Sequence, residues 1–187
     1  MAESKTTHKR RIEDNTFKRM IDIGIALASE RDHHRLMELI LLETKSLCHA
    51  DGGTLYLRTD DNRLKFEIMR TDSLGFAKGG TTGEEITFPP LDIYNPETGE
   101  PNSKNIATYV ALSGETVSIS DAYETDEFDF SGTKKFDEGT GYRSKSFLTV
   151  PMKNHDGDVI GVIQLLNAKD PVSGEVIAFS PTIQPLI

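Results

Sequence analysis

Cysteine is almost missing from this chain: Cys48 stands alone among 187 residues. A single thiol excludes a disulfide framework and makes a reducing, cytoplasmic setting the natural expectation. Positive charge is in deficit as well, with 21 Lys and Arg against 30 Asp and Glu, a net charge of −9. That balance excludes a broad basic face of the kind that holds nucleic acid. The one basic cluster, Lys9-Arg10-Arg11, lies in a polar N-terminal segment. No apolar run approaches the ~20 residues of a membrane span, so no membrane association is expected. No apolar segment follows the charged N-terminus, as one would in a signal peptide. Internal repeats are absent.

What is there suits one globular domain: 36% hydrophobic and 27% charged residues, too apolar for disorder and long enough to bury a core. Residues 1–14 read as a flexible polar tail. Phe17, Met20, Ile21, Ile25 and Ala28 recur at helical spacing and predict an N-terminal helix over 15–29. Its apolar stripe suits signalling and homodimerisation. Residues 30–187 form the main domain. Asp32 is a cap for a second helix ending near Cys48, with Arg35 where a capping box would carry Glu.

The period then changes. "GTLYLR" (53–58) and "RLKFEIMR" (63–70) alternate as strands around "TDDN" and predict a hairpin. Residues 71–105 are rich in Gly and Pro and read as an irregular, mobile lid, with "ITF" (86–88) as one short strand. "NIATYVALSG" (105–114) is a short helix closed by Gly114, and "TVSIS" (116–120) a short strand. An acidic, aromatic loop (121–132) leads to a helix of one or two turns within 133–142. Two apolar strands follow, 144–152 and 158–169, joined by a turn at Asp156-Gly157. After "PVSGEVIAFSP" a C-terminal helix begins and breaks off at Ile187, so the chain reads as a fragment of something longer, with an output domain beyond.

"GTGYRSKS" (139–146) misses a phosphate-binding P-loop by one residue, Ser144 in place of glycine. A P-loop follows a strand and opens a helix, so that the helix N-terminus meets the phosphates. Here a helix precedes and a strand follows, which excludes it. Alternation along the coming strand predicts Thr140 and Ser144 toward a cavity, with Lys145 facing away and Phe147 on its side, toward the helices.

The run "NIATYVALSGETVSISDAYETDEFDF" followed by "FDEGTGYRSKSFLTVPMKNHDGDVIGVIQLLNAKD" resembles the GAF domain family over residues 30–187, most densely from 105 to 170. Within it the chain looks most like bacterial modules attached to HD-GYP phosphodiesterases or nucleotide cyclases. The resemblance implies an α+β fold: a central antiparallel sheet of about six strands, helices from both chain ends on one face, and short helices and loops enclosing a pocket on the other. It also implies a ligand site. Carried over by position, the site comprises Thr54, Met69 and Arg70 from the first hairpin and the amides of Ile106 and Ala107 at a helix start. Asp137, Thr140 and Ser144 come from around the short acidic helix, and Gln164 from the last central strand.

The chain departs from cyclic-nucleotide-binding relatives at three places. Arg70 stands where they carry Asp. Their N-K…F-x-x-x-D-E pattern appears as Asn167-Ala168 and Phe179 followed by Ile183-Gln184. The loop from Asp121 to Lys135 is longer. Other family chemistries fail on residue type: Cys48 lies in a helix and not near a pocket where a bilin would attach. One cysteine cannot run disulfide exchange, and the scattered histidines do not converge on a metal. No catalytic arrangement is visible, so the domain reads as a regulator and not as an enzyme. Two roles follow. One is a small-molecule sensor, with a cyclic nucleotide as candidate ligand, acting on an attached phosphodiesterase or cyclase. The other is a non-sensing dimerisation module whose pocket is filled by Phe66, Met69, Phe128 and Phe136. A polar-lined cavity of a few hundred Å3 distinguishes the first.

Overall fold

Two hairpins set the architecture of the computed structural model, which describes residues 21–182. Strands β1 (Ala50–Arg58) and β2 (Arg63–Thr71) pair antiparallel, with Asn62 in the left-handed region at their turn. Strands β6 (Phe147–Lys153) and β7 (Val159–Lys169) form the second pair. Their turn is fixed by the Asn154 side chain, which accepts from the amides of Asp156 and Asp158. β1 also pairs with β7, from Ala50 opposite Ala168 to Leu57 opposite Gly161, and so joins the hairpins. β3 (Phe76–Gly79) and β5 (Val117–Ile119) close the two edges. The order is β3-β2-β1-β7-β6-β5, six strands in one path as expected. Two further short strands, β4 (Leu91–Asp92) on β2 and β8 (Val176–Ile177) on β7, bring the sheet to eight.

Strand alternation divides the apolar residues between two faces. Leu55, Ile68, Leu148, Val150, Ile163 and Leu165 point to one face and pack with Leu41 and Cys48. That face is covered by α2 (His33–Leu47), whose N-terminus Asp32 caps by accepting from the Arg35 amide at 2.9 Å. The helix comes close: a Cβ on Gly53 would lie 3.0 Å from a Leu41 methyl and 3.1 Å from Lys45. Preceding it, residues 21–29 are helical and form α1, with Ile21 and Ile25 exposed. The other face carries α3 (Ile106–Ser113) and α4 (Ser131–Thr140).

Residues 71–105 differ from the expected irregular lid. "ITF" is not a strand, whereas β3 and β4 lie on either side of it. Ile93, fully buried, anchors the segment against Tyr56, Leu64 and Val110. The tail, the stripe residues Phe17 and Met20, and residues 183–187, where the C-terminal helix was expected, lie outside the described residues.

Candidate functional site

A cavity of about 440 Å3 opens on the sheet face opposite α2. Its floor is β1, β2 and β7; its walls come from β3, the 80–91 segment, and the starts of α3 and α4. Aromatic rings dominate it. Phe66 makes tilted ring contacts with Tyr56 and Phe88, at centroid separations of 4.7 and 5.6 Å. Phe76 meets Phe136 edge-on at 6.1 Å, and Phe130 lies 4.9 Å from Phe147. Polar groups run along the floor. The buried Tyr56 hydroxyl donates to Gln164 Oε1 at 3.2 Å, and Gln164 Nε2 reaches Thr149 Oγ1 at 3.5 Å. Burial pushes the Tyr56 phenol well above its ordinary pKa, so the hydroxyl stays a donor. Apolar walls with a few placed polar groups are the usual make-up of a small-molecule site.

Of the residues assigned to the site by resemblance, Thr54, Met69, Ile106, Ser144 and Gln164 line the cavity. Arg70 borders it, but its guanidinium lies on the opposite face, paired with Glu38 of α2. The cause is an irregularity in the β1–β2 register: Leu55 faces Ile68 while Tyr56 faces Phe66, so Glu67 is skipped. The bulge puts Phe66 and Met69 on one side and sends Arg70 to the other. Ala107 is off the wall, and its amide is occupied by the Asn105 side chain at 3.0 Å.

Asp137 and Thr140 also correct the expectation. Asp137 is buried, with one carboxylate oxygen accepting from the Ser144 amide (2.7 Å) and Tyr123 hydroxyl (2.8 Å) and the other from Ser144 Oγ (2.8 Å). Thr140 is exposed, and its hydroxyl donates back to the Phe136 carbonyl. Asp137 fastens α4 to its surroundings, Thr140 bonds within the helix, and neither lines the cavity. Lys145 is off the wall as expected, but Phe147 lines the cavity and packs on Phe130, against the expected side. Residues 144–146 are outside the ladder. The amides of Lys145 and Ser146 both donate to Asn167 Oδ1, at 2.7 and 3.2 Å, so alternation starts afresh at Phe147.

The P-loop look-alike is therefore a clasp. Tyr142, on the cavity wall, donates at 2.7 Å to the buried Asp51 of β1, which also accepts from Ser73 and pairs with Lys169. Burial opposes the Asp51 charge, but the bonds from Lys169, Ser73 and Tyr142 outweigh it and hold the pKa below the ordinary carboxylate range. Lys169 thus supplies an ion pair one residue beyond Ala168, where the family pattern carries its lysine. Arg143 lies over the Tyr123 ring, 4.1 Å from its centroid. Cys48 is buried beneath α2 and its thiol is pushed up to about 12 by burial.

Sequence reasoning missed the start of α4. Ser131, Gly132 and Thr133 line the cavity, and the N-cap Phe130 supplies no side-chain cap. The Ser131 amide goes to Asp129 Oδ1 at 2.9 Å. The "DFSG" step held the signal, an Asp two residues before a helix start. Among the described residues, Arg70 and Asp129 are the only charged ones on the wall, and Arg70 directs its charge elsewhere. Negative charge on a ligand would meet the Gly132 and Thr133 amides and the helix dipole, beside the Asp129 carboxylate that takes the Ser131 amide, and no cation. Among the described residues no group of His, Cys, Asp and Glu has metal-holding geometry, and no helix is long and apolar enough to cross a membrane.

The family model described as "GAF domain" matches residues 32–182. Among curated proteins, the "Dual 3',5'-cyclic-AMP and -GMP phosphodiesterase 11A" of Takifugu rubripes is 44% identical over 164 residues, covering 88% of this chain and 16% of that protein. The "cGMP-specific 3',5'-cyclic phosphodiesterase" of Drosophila mojavensis is 32% identical over 147 residues, covering 75% of this chain and 12% of that one. The chain thus spans 16% or less of the length of these two relatives. Among solved structures, the GAF domain of a phosphoenolpyruvate-protein phosphotransferase from Coxiella burnetii superposes with a TM-score of 0.63 at 13% identity, over 91% of this chain and 84% of its own. Its Acinetobacter counterpart gives 0.61 at 16% identity, over 90% and 83%. These likenesses are to the fold.

Proposed function

We propose that this chain, which belongs to the GAF domain family, is the small-molecule-binding regulatory domain of a cytoplasmic signalling protein and that its ligand is a purine cyclic nucleotide. The observation that carries the reading is the cavity of about 440 Å3, with packed aromatic rings on its walls, a Thr54, Tyr56 and Gln164 floor, and at its edge the start of α4, where the N-cap Phe130 supplies no side-chain cap. A planar base suits the aromatic walls and the Gln164 amide. A phosphate suits the amides of Gly132 and Thr133 in the first turn of α4. The named functions of the two phosphodiesterase relatives support the nucleotide and suggest that the output domain is a cyclic nucleotide phosphodiesterase. Catalysis then belongs to that domain. Exposed Ile21 and Ile25 on α1 support a homodimer built along the N-terminal helix.

The alternative, a dimerisation module with a collapsed pocket, fits less well. Phe66, Met69 and Phe136 border the cavity without filling it, and Phe128 packs instead on Tyr109 at 5.3 Å. Calorimetric titration of the chain with cyclic GMP and cyclic AMP tests the proposal. One of them binds, and Gln164→Leu weakens it about tenfold by removing the floor amide. Absence of heat with both nucleotides, together with native mass spectra free of any small molecule, would overturn it.

A further inference from the structure

Arg70 has its backbone at the cavity and its charge on the other side of the sheet. Its neighbours Met69 and Thr71 line the cavity. Its guanidinium is 8% exposed and pairs with Glu38 of α2, itself 14% exposed. Three further N–H groups donate to the carbonyls of Met69 (2.8 Å), Lys78 (2.7 Å) and Gly79 (3.3 Å). The second oxygen of Glu38 accepts from both the amide (3.0 Å) and the hydroxyl of Thr81. Burial opposes the Glu38 charge, but its bonds from Thr81 and Arg70 prevail and keep the carboxylate ionised. The turn that brings Thr81 there is dictated by Gly79. Its φ is 69°, and a Cβ would lie 2.1 Å from the Glu67 carbonyl oxygen.

From Thr81 the chain runs as a strap to β4, where Leu91 pairs with Leu64. On the way it lays Phe88, 44% exposed, against Phe66 at the cavity wall. The strap is therefore fastened to the sheet at one end and to α2 at the other. Removing one member of a buried, multiply bonded ion pair strands its partner, so such a cluster holds or releases as a unit.

We propose that Arg70, Glu38 and Thr81 form a latch that makes the strap over the cavity and helix α2 move together, so that filling the cavity is felt by α2 and by α1 before it. The latch rests on the reading of the cavity as a ligand site. A ligand under Phe88 that favours the fastened strap shifts the population of one α2 position over another.

Hydrogen exchange on the full chain tests this with Thr81→Val, an exposed position off α2, and with Glu38→Gln. Without nucleotide, Thr81→Val should speed exchange of residues 80–85 about tenfold and of residues 33–40 about threefold, with β6 and β7 unchanged. Glu38→Gln should speed both segments further. Cyclic GMP or cyclic AMP added to the wild type should slow both segments together. A strap that loosens while residues 33–40 stay as protected as before overturns the latch, and so does a strap unaffected by either substitution. Coupled loosening in the variants with no nucleotide effect on the wild type supports the latch and counts against the ligand reading alone.

Discussion

Helices α3 and α4 both begin at the cavity, and they are built on opposite terms. α3 is self-sufficient. The Asn105 side chain caps the amides of Ala107 and Thr108, Gly114 closes the other end in a left-handed conformation, and Ile106, Ala107, Thr108, Val110 and Ala111 are buried. α4 has no side-chain cap, contains Gly132 and Gly139, and buries Asp137 alone. Its helix propensity is correspondingly poor. α3 holds itself in place and spends its amides doing so. α4 is held from outside, through Asp137, and presents its first turn to the cavity with the Ser131 amide taken by Asp129. The difference assigns them separate tasks, a fixed wall and an adaptable one, and suits α4 to close on a ligand.

The sharpest way to break this contrast is to cut the tie. Asp137→Ala leaves the Ser144 amide, the Ser144 hydroxyl and the Tyr123 hydroxyl without their acceptor. The expected cost is about 3 kcal/mol, since each abandoned donor is expensive. For a chain of this size that lowers Tm by roughly 6–12 °C. Thermal unfolding followed by circular dichroism measures it. A change within a degree or two would mean that α4 does not depend on Asp137, and the contrast with α3 would fail.

Smaller effects of opposite sign come from the helices' own sequences. Asn105→Ala removes the α3 cap and should cost about 1 kcal/mol. Gly132→Ala should stabilise by about 0.5–1 kcal/mol, because alanine loses less backbone freedom in a helix and a Cβ there meets nothing within 4 Å. Urea denaturation of both variants gives the two signs. A destabilising Gly132→Ala would show that the first turn of α4 is constrained in a way its open surroundings do not reveal.

Much of this is legible in the sequence, and the failures fall into two kinds. The hairpins follow from turn residues such as Asp156-Gly157, and α3 from Asn105 and Gly114, because local signals fix local geometry. Thr54 and Gln164, placed by resemblance, sit opposite one another in an unbroken pairing of β1 and β7 and line the cavity. Phe147 faces against expectation because alternation counted from Ser144 crosses a break, and Arg70, placed by resemblance, lies beyond another. One break is the bulge at Glu67, the other the stretch where Asn167, itself at φ 53°, takes two amides of the β6 lead-in. Neither residue announces this locally. Asp137 and Thr140 failed differently: their spacing on α4 says which residues share a side, and only tertiary packing says which side meets the cavity.

The smallest expected effect concerns acid, and it separates the two helix starts by chemistry. The α3 cap is an amide and has no charge to lose. The approach to α4 relies on the Asp129 carboxylate, which accepts from the Ser131 amide at 2.9 Å. The Ser131 side-chain and backbone bonds hold its pKa below the ordinary value. A carboxyl with a folded pKa below its unfolded value of about 3.9 contributes fully above that value. The contribution is lost as pH falls through the folded pKa. No change is expected between neutrality and about pH 5, and below about pH 4 the start of α4 should loosen first. Asp129 is exposed, so the effect is modest and shrinks as salt is added. Amide resonances of Ser131 and Ala107 followed through an acid titration report the two sites side by side. The Ser131 resonance should inflect while that of Ala107 stays flat until the whole chain unfolds. If both move together from the outset, the helix starts respond as one body, and α4 is not the independently held wall that its sequence describes.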